Sequence, residues 1–506
     1  MSTPADDADP PRQQAADVVL ASPQGRWVVA AAVLGTAIVM LDSTVVNVAL
    51  PRIAEDLDAG LASLQWTVTA YMTTLSALVL LGGSLGDRFG RRRMFIAGIV
   101  VFALASLACG LAPGIEVLVA ARAVQGIGGA LLTPGSLAMI QSSLRPGDRA
   151  RAIGLWSGLG GVASAIGPFV GGALADGPGW RWVFLVNIPV AIACVAVAVR
   201  HVPESRDTAQ HRGFDTLGAF AAIVALAATT VTLVRAADGG TAAEIGLEAA
   251  VAVVAGIVFV LAERRAREPM VPPHLFSSRT FTVVNVMTFA IYAAIGGQMF
   301  LTALQLQVVA GYPAVWAGAA LLPVTILMLL LSARSAAFAA RIGPRIPLTV
   351  GACALAGGLL LFLRIGPDAD YLTDVLPGAL LMGVGLVTLV APLTSTVLAA
   401  VDDAHSGVAS GVNNAVARAA GLLAVAAVPL LAGTSATGAL DASFDTTFRR
   451  AVPVFAAVAL VGAVIAWIGL GGRPATPPSA RSGPAAPGTT TPDTAGRLPG
   501  NDVPDR

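Results

Sequence analysis

The chain has 506 residues, 56% of them hydrophobic and only 12% charged, with a formal net charge of +1. That balance excludes a soluble multidomain protein and, with the bases scattered instead of gathered on one face, a nucleic-acid partner too. All 31 basic residues are arginine, so the chain carries neither a phosphate-loop lysine nor a Schiff-base lysine.

Residues 1–25 are acidic and rich in Pro, Ala and Gln, with no basic leader and no small-residue cleavage site. They are expected to form a disordered cytoplasmic tail and not a secretory signal. Apolar runs long enough to cross a bilayer as helices, roughly 20 residues at 1.5 Å each, then recur along the chain. Fourteen are predicted, near 27–48, 64–82, 94–112, 115–140, 153–173, 182–200, 214–234, 245–262, 281–304, 314–333, 346–363, 373–399, 407–432 and 451–470. The predicted fold class is therefore an all-α integral membrane protein. The Pro/Thr/Gly-rich segment 472–506 is expected to be a second disordered cytoplasmic tail.

Asp42 lies well inside the first span, Arg122 inside the fourth and Arg418 inside the thirteenth. A charge at the centre of the bilayer is disfavoured by about 2.5–3.5 kcal/mol on insertion scales, so each marks a functional site facing the bundle interior. Counted along their helices, Asp42 and Arg122 reach nearly the same height in the membrane and are expected to pair.

Between the second and third spans, Gly82–Arg93 reads as a short basic turn at the membrane edge. It carries Arg88, Arg91, Arg92 and Arg93, one acid at Asp87, and glycines at 83, 86 and 90 that let backbones approach. Positive charge in short loops stays inside, and most other loop arginines fall on the same side, so both termini are expected in the cytoplasm. In the fifth span, Gly154, Gly158, Gly167 and Gly171 are expected to form a groove for a neighbouring helix, with Pro168 freeing a carbonyl and permitting a bend.

Uncharged polar residues inside the spans (Tyr71, Gln125, Asn285, Tyr292, Gln298, Asn413 and Asn414), together with Arg418, either line a cavity or join helices. Cys109, Cys194 and Cys353 each fall in a different apolar run and are expected to be buried free thiols. His201, His211, His274 and His405 are placed in inner loops without metal-ligand spacing, so no metal is expected. Gly82-Gly-Ser84-Leu-Gly86 matches a hydrolase string but lacks the strand-turn-helix setting that exposes such a serine.

An internal echo completes the pattern. Ala339-Ala-Arg341-Ile-Gly343-Pro-Arg345 repeats Gly86-Asp-Arg88-Phe-Gly90-Arg-Arg92 without its acid. It predicts two six-helix halves, 26–201 and 281–471, joined by a linker at 202–280 that holds an inserted central helix pair.

Gly83-Ser-Leu-Gly-Asp87-Arg-Phe-Gly90-Arg-Arg92 resembles the loop signature of the major facilitator superfamily, which reads Gly-x-Leu-Ala-Asp-Arg-x-Gly-Arg-Arg/Lys; Gly86 stands where the alanine is usual. Leu41-Asp-Ser-Thr-Val-Val-Asn47-Val-Ala-Leu-Pro51 is similar to the first-span signature of its fourteen-span drug:proton antiporter branch. Leu118-Val-Ala-Ala-Arg122-Ala-Val-Gln125-Gly126-Ile-Gly128-Gly129 resembles the fourth-span motif, whose arginine is associated with proton transfer. Gly158 through Gly167-Pro168-Phe-Val-Gly171-Gly172 resembles the fifth-span antiporter motif, and Trp180-Arg-Trp-Val-Phe-Leu-Val-Asn187-Ile-Pro189 again resembles this branch.

The resemblance implies a proton-coupled secondary efflux transporter that exports a hydrophobic or amphiphilic small molecule by alternating access. Asp42 and Arg122 would couple the proton. Gly83, Gly86, Asp87, Arg88, Gly90, Arg91 and Arg92 would form a conformational latch, with Asp87 beside Ser406 and Gly407. Gly167, Pro168, Gly171 and Gly172 would form the antiporter helix motif. The expected setting is the plasma membrane, the expected partners are substrate, protons and lipid, and the expected state is a monomer using no cofactor and no ATP. A facilitator or importer of the same superfamily, or a membrane enzyme or receptor on a similar scaffold, is the alternative.

Overall fold

The computed structural model describes residues 18–205, 215–237, 239–266, 269, 271–402, 406–433 and 443–471. The expected C-terminal tail, most of the N-terminal one, His211 and His405 lie outside them. Sixteen α-helices are present among the described residues. They are α1 (Pro23–Leu57), α2 (Leu61–Phe89), α3 (Arg91–Gly110), α4 (Ile115–Ser143), α5 (Pro146–Asp176), α6 (Trp182–Leu185), α7 (Asn187–His201), α8 (Thr216–Ala237), α9 (Ala242–Arg265), α10 (Arg279–Leu304), α11 (Ala314–Ala319), α12 (Leu322–Ile342), α13 (Arg345–Leu361), α14 (Leu376–Ala399), α15 (Ser406–Ala432) and α16 (Phe444–Gly469).

Among the described residues, thirteen segments are long and apolar enough to cross a membrane; the expected count of fourteen includes the run within α2, a 29-residue helix. Several helices outlast their apolar runs. α1 continues past the predicted residue 48 to Leu57, tolerating Pro51, and carries Arg52, Glu55 and Asp56 on its last turns. The N-terminal tail also ends earlier than expected. The Arg145 amide donates to the Val18 carbonyl (3.2 Å), the Leu20 amide donates to Asp148 (3.0 Å), and the Ser22 hydroxyl caps α1 by accepting from the Gly25 amide (3.1 Å).

The basic segment 82–93 is not an open turn. α2 runs to Phe89 and α3 starts at Arg91, leaving Gly90 alone between them, at φ +109°, which side-chain-bearing residues rarely adopt. The echo uses the same device, with Gly343 at φ +86° after α12; both amides bond back to the carbonyl four residues earlier (Gly86 and Ala339). Two helices joined by one left-handed glycine must fold back on each other, so the chain alternates direction. The end of the bundle where α1 begins is called the near end, and the opposite one the far end.

Lipid tails are as apolar as leucine, so helices here associate through close packing of small residues. A Cβ on Gly82 of α2 would land on the Ala130 carbonyl of α4, and one on Gly128 would lie 2.6 Å from the Phe102 amide of α3. α1 packs on α4, α5 and α7, and α2 and α3 both pack on α4. Among the later helices, α10 packs on α15 and α16, α13 on α14 and α16, and α12 on α14. The two groups meet where α2 lies on α15 and α5 lies on α11. α8 and α9 pair with each other, and α8 also reaches α2 and α15.

Two local expectations are corrected. Cys109 and Cys194 are buried, but Cys353 is exposed on α13, because its helix turns Gly351, Ala352 and Leu355 inward instead. His201 is no loop residue: it ends α7 and stacks on Trp27 with ring centroids 5.0 Å apart.

Candidate functional site

Glycine packing between α2 and α4 sets the depth at which charge is held. A Cβ on Gly126 would collide with Thr74 and the Tyr71 carbonyl, and Thr74 Oγ1 donates across the contact to the Ala123 carbonyl (2.7 Å). With the backbones this close, Arg122 extends from α4 toward α2 and α1. Its Nε donates to the Thr67 carbonyl (3.0 Å), its Nη1 to Asp42 Oδ2 (2.6 Å), and its guanidinium lies over the Tyr71 ring at 4.2 Å. Asp42 is 0% exposed and Arg122 1% exposed. The pair predicted from helix depth is therefore formed, deep inside the bundle.

A buried ion pair lowers the free energy only if its remaining polar valences are filled. Here they are. Asp42 Oδ1 accepts from Gln125 Nε2 (2.8 Å) and Asn187 Nδ2 (3.1 Å), while Gln125 Oε1 takes a second bond from Arg122 Nη1 (2.6 Å). Ser106 Oγ on α3 accepts from the Gln125 amide (2.8 Å) and, at 3.4 Å, from Asn187. The carboxylate thus sits in a cage drawn from α1, α3, α4 and α7, and its guanidinium partner lies over the Tyr71 and Phe184 rings.

Asn187 and Ser106 were not among the expected site residues. Asn187 had a signal: Pro189 two residues later cannot donate to the Leu185 carbonyl, so the span breaks between α6 and α7, and the break delivers Asn187 to Asp42. Ser106 had none, since a single serine in an apolar run looks like any small packing residue.

The fifth-span glycines divide by position. Gly167 and Gly171 lie against Leu41, Thr44 and Val45 of α1, where a Cβ on Gly171 would sit 2.7 Å from the Val45 carbonyl oxygen. A Cβ on Gly172 would overlap the Ala314 carbonyl and Val315 of α11, and one on Gly318 would overlap the Pro168 carbonyl. Asp176 Oδ2 accepts from the Val315 amide (3.0 Å), completing a tight far-end seam between α5 and α11. Gly154 and Gly158 correct the expected continuous groove, because an added Cβ there meets nothing within 4 Å. The two helix groups are closed together at the far end of α5 and apart along its near half.

The family model described as Major Facilitator Superfamily matches residues 32–426. The chain belongs to the Major Facilitator Superfamily. It is 34% identical over 468 residues to the puromycin resistance protein pur8 of Streptomyces alboniger, covering 88% of this chain and 91% of that one. It is 33% identical over 404 residues to the tetracenomycin C resistance and export protein of Streptomyces glaucescens, covering 79% and 74%. The crystal structure of the peptide transporter POT in complex with sulfate superposes at a TM-score of 0.64 with 15% identity, covering 90% of this chain and 96% of that one, which is a likeness of fold.

The superfamily loop motif has a partner from outside itself. Glu204, just beyond α7, accepts from the Arg92 amide (3.2 Å) and faces the Arg92 and Arg93 side chains at 3.8 and 3.7 Å, while the Arg91 amide donates to the Ser205 carbonyl (3.0 Å). Glu204 thereby caps the N-terminus of α3 from a distant segment. Arg88 lies over Phe89 at 5.4 Å. The Asp87, Ser406 and Gly407 side chains lie outside the described residues. Replacing Glu204 by alanine is expected to cost about 1 kcal/mol through the lost cap, whereas Glu204→Gln keeps an acceptor and costs less. Melting curves that rank the glutamine variant below the alanine one would contradict the capping role.

The remaining polar residues separate into two kinds. Asn285 and Thr288 on α10 accept from Asn413 on α15 (3.2 and 2.7 Å), and Gln298 donates to Thr302 one turn on (2.7 Å), so these are buried links within and between helices. Tyr71 and Gln125 belong to the Asp42 cage. Tyr292 and Arg418 are half-buried, and Asn414 is exposed with its amide on the Ser410 carbonyl.

Proposed function

We propose that this chain is a proton-driven exporter of hydrophobic or amphiphilic small molecules in the plasma membrane, with Asp42 as the proton carrier. The observation that carries this is the Asp42–Arg122 pair, fully enclosed at membrane depth and held by groups from four helices. Protonation turns an ion pair into a neutral acid beside a cation, which weakens the tie between α1 and α4; release of the proton restores it. Coupled to closure of the α5–α11 seam, that change lets the two helix groups rock about a central cavity. The names of the relatives, which are resistance and export proteins, support export over import.

In this proposal the near end, where the loop arginines gather, faces the cytoplasm. Gly83–Arg92 latches that end shut in the outward-open state, Asp87 supplying its acid. The chain works as a monomer on substrate, protons and lipid, catalyses no reaction, and uses neither ATP nor nucleic acid. The test is uptake by everted vesicles containing the purified chain, with a panel of lipophilic dyes and an imposed proton gradient. Dye accumulation should collapse with the gradient; accumulation that survives a protonophore would refute proton coupling.

A further inference from the structure

Arg418 stands apart from the chemistry above. It lies twelve residues into α15, at roughly 18 Å from the near end at 1.5 Å per residue, which is mid-membrane. Arg122 has an acid, an amide and a carbonyl. Among the described residues Arg418 has no hydrogen bond and no ion pair, and its electrostatic neighbours are the phenols Tyr71 and Tyr292.

Its direction is fixed by the helix it stands on. Residues 418, 421 and 425 share one stripe of α15. The Val425 carbonyl accepts from Gln65 of α2 (2.8 Å), and Gly421 is so close to α10 that a Cβ on Gly296 would sit 2.7 Å from its Cα. Arg418 therefore points where α2 of the first helix group meets α10 and α15 of the second, not toward lipid. Tyr71 is fully buried, with the Arg122 guanidinium over its ring, while Tyr292 is half-buried and its hydroxyl makes no hydrogen bond among the described residues.

A guanidinium at membrane depth whose five donors meet no protein acceptor among the described residues is best matched by a guest that brings oxygen acceptors to it. A neutral apolar guest leaves every donor unmet, and an organic cation is repelled. A carboxylate or phenolate meets the planar fork with charge-assisted bonds and can take another from the Tyr292 hydroxyl. We propose that Arg418 and Tyr292 form the anion-holding end of the substrate cavity, so that the compounds this chain takes are apolar bodies bearing a localised negative charge. The proposal builds on the reading of the chain as an exporter with its cavity between the two helix groups.

The test is equilibrium binding, with no gradient, to the full purified chain in lipid nanodiscs, with empty nanodiscs subtracted. Three matched probes differ only in charge: 9-anthracenecarboxylate, 9-anthracenemethanol and 9-(aminomethyl)anthracene. The carboxylate should bind about tenfold more tightly than the alcohol, the scale of one charge-assisted hydrogen bond, and the amine most weakly. Arg418→Gln should bring carboxylate and alcohol together, and Arg418→Lys should keep part of the preference, both at unchanged melting temperature. If Arg418→Gln does not fold, the lysine variant together with Tyr292→Phe carries the comparison, the latter weakening the carboxylate alone.

Equal binding of the three probes, absent binding of the carboxylate, or a preference that survives Arg418→Gln overturns the proposal. Replacing chloride by gluconate separates an organic from an inorganic guest. Unchanged carboxylate affinity supports the substrate assignment, and a large gain in affinity assigns the site to chloride and overturns it. Because no gradient is used, these outcomes stand apart from failure of proton-coupled export, which vesicle transport reports.

Discussion

Asp42→Asn is expected to abolish gradient-driven export and also to destabilise the folded chain. The amide cannot present acceptors on both sides of the cage: its oxygen can meet Arg122, or the Gln125 and Asn187 amides, but not all three at once. Arg122 is then left as an uncompensated charge at 1% exposure, and breaking such a pair costs about 3–5 kcal/mol. Arg122→Leu should cost a similar amount from the other side, leaving a carboxylate with only two amide donors. The double variant Asp42→Asn, Arg122→Leu removes both charges, so it should melt above either single variant. Recovery of stability without recovery of export, or of substrate-induced proton release in detergent, separates a carrier from a structural pair. Export restored in the double variant would place the proton site elsewhere.

Gly172→Leu should block the closed far end. Its Cβ falls on the α11 backbone at Ala314 and Val315, which are not the tips of flexible side chains, so the seam must part for the leucine to fit. Overpacking of this kind costs about 1–3 kcal/mol, which shifts a two-state equilibrium by about 5- to 150-fold toward the open far end. Transport should fall by a comparable factor while the protein remains folded. A cysteine introduced at Trp316 should label faster with a membrane-impermeant maleimide. Gly154→Leu is the matched control, because nothing lies within 4 Å of a Cβ there, and it should leave far-end labelling unchanged. Equal labelling of the two variants would show that the α5–α11 contact does not gate that end.

Much of this could be read in the amino acids because the bilayer is a strict solvent. Backbone polar groups must be satisfied inside each span, so apolar runs report helices almost directly, and a charge inside a run reports an interior site. Asp42 and Arg122 were legible as a pair from depth alone. The helix ends were less so, since α1 and α5 continue beyond their apolar runs into a region where polar and charged residues are tolerated. The cage around Asp42 was legible only in part. Gln125 lies one turn from Arg122, but Asn187 reaches the site through a proline-broken helix and Ser106 through a helix with no polar pattern. The glycines of α5 illustrate the same limit: spacing shows which residues share a stripe, not which half of the stripe is occupied in a given conformation. Gly154 and Gly171 look alike in sequence and have opposite surroundings.

The position of α8 has a kinetic consequence for guests that dissolve in the bilayer. Because α8 lies over the junction of α2 with α15, and α9 lies outside α8, one of the two lateral junctions between the helix groups is walled off from the acyl chains. The other, beside the near half of α5, is bare on the glycine face. A lipophilic compound diffusing in the membrane plane thus meets one doorway and one blank wall, and its arrival rate is set by its leaflet concentration and not by its aqueous one. Two compounds of equal affinity then differ in apparent KM by their ratio of partition coefficients, so discrimination begins in the lipid before any side chain is touched.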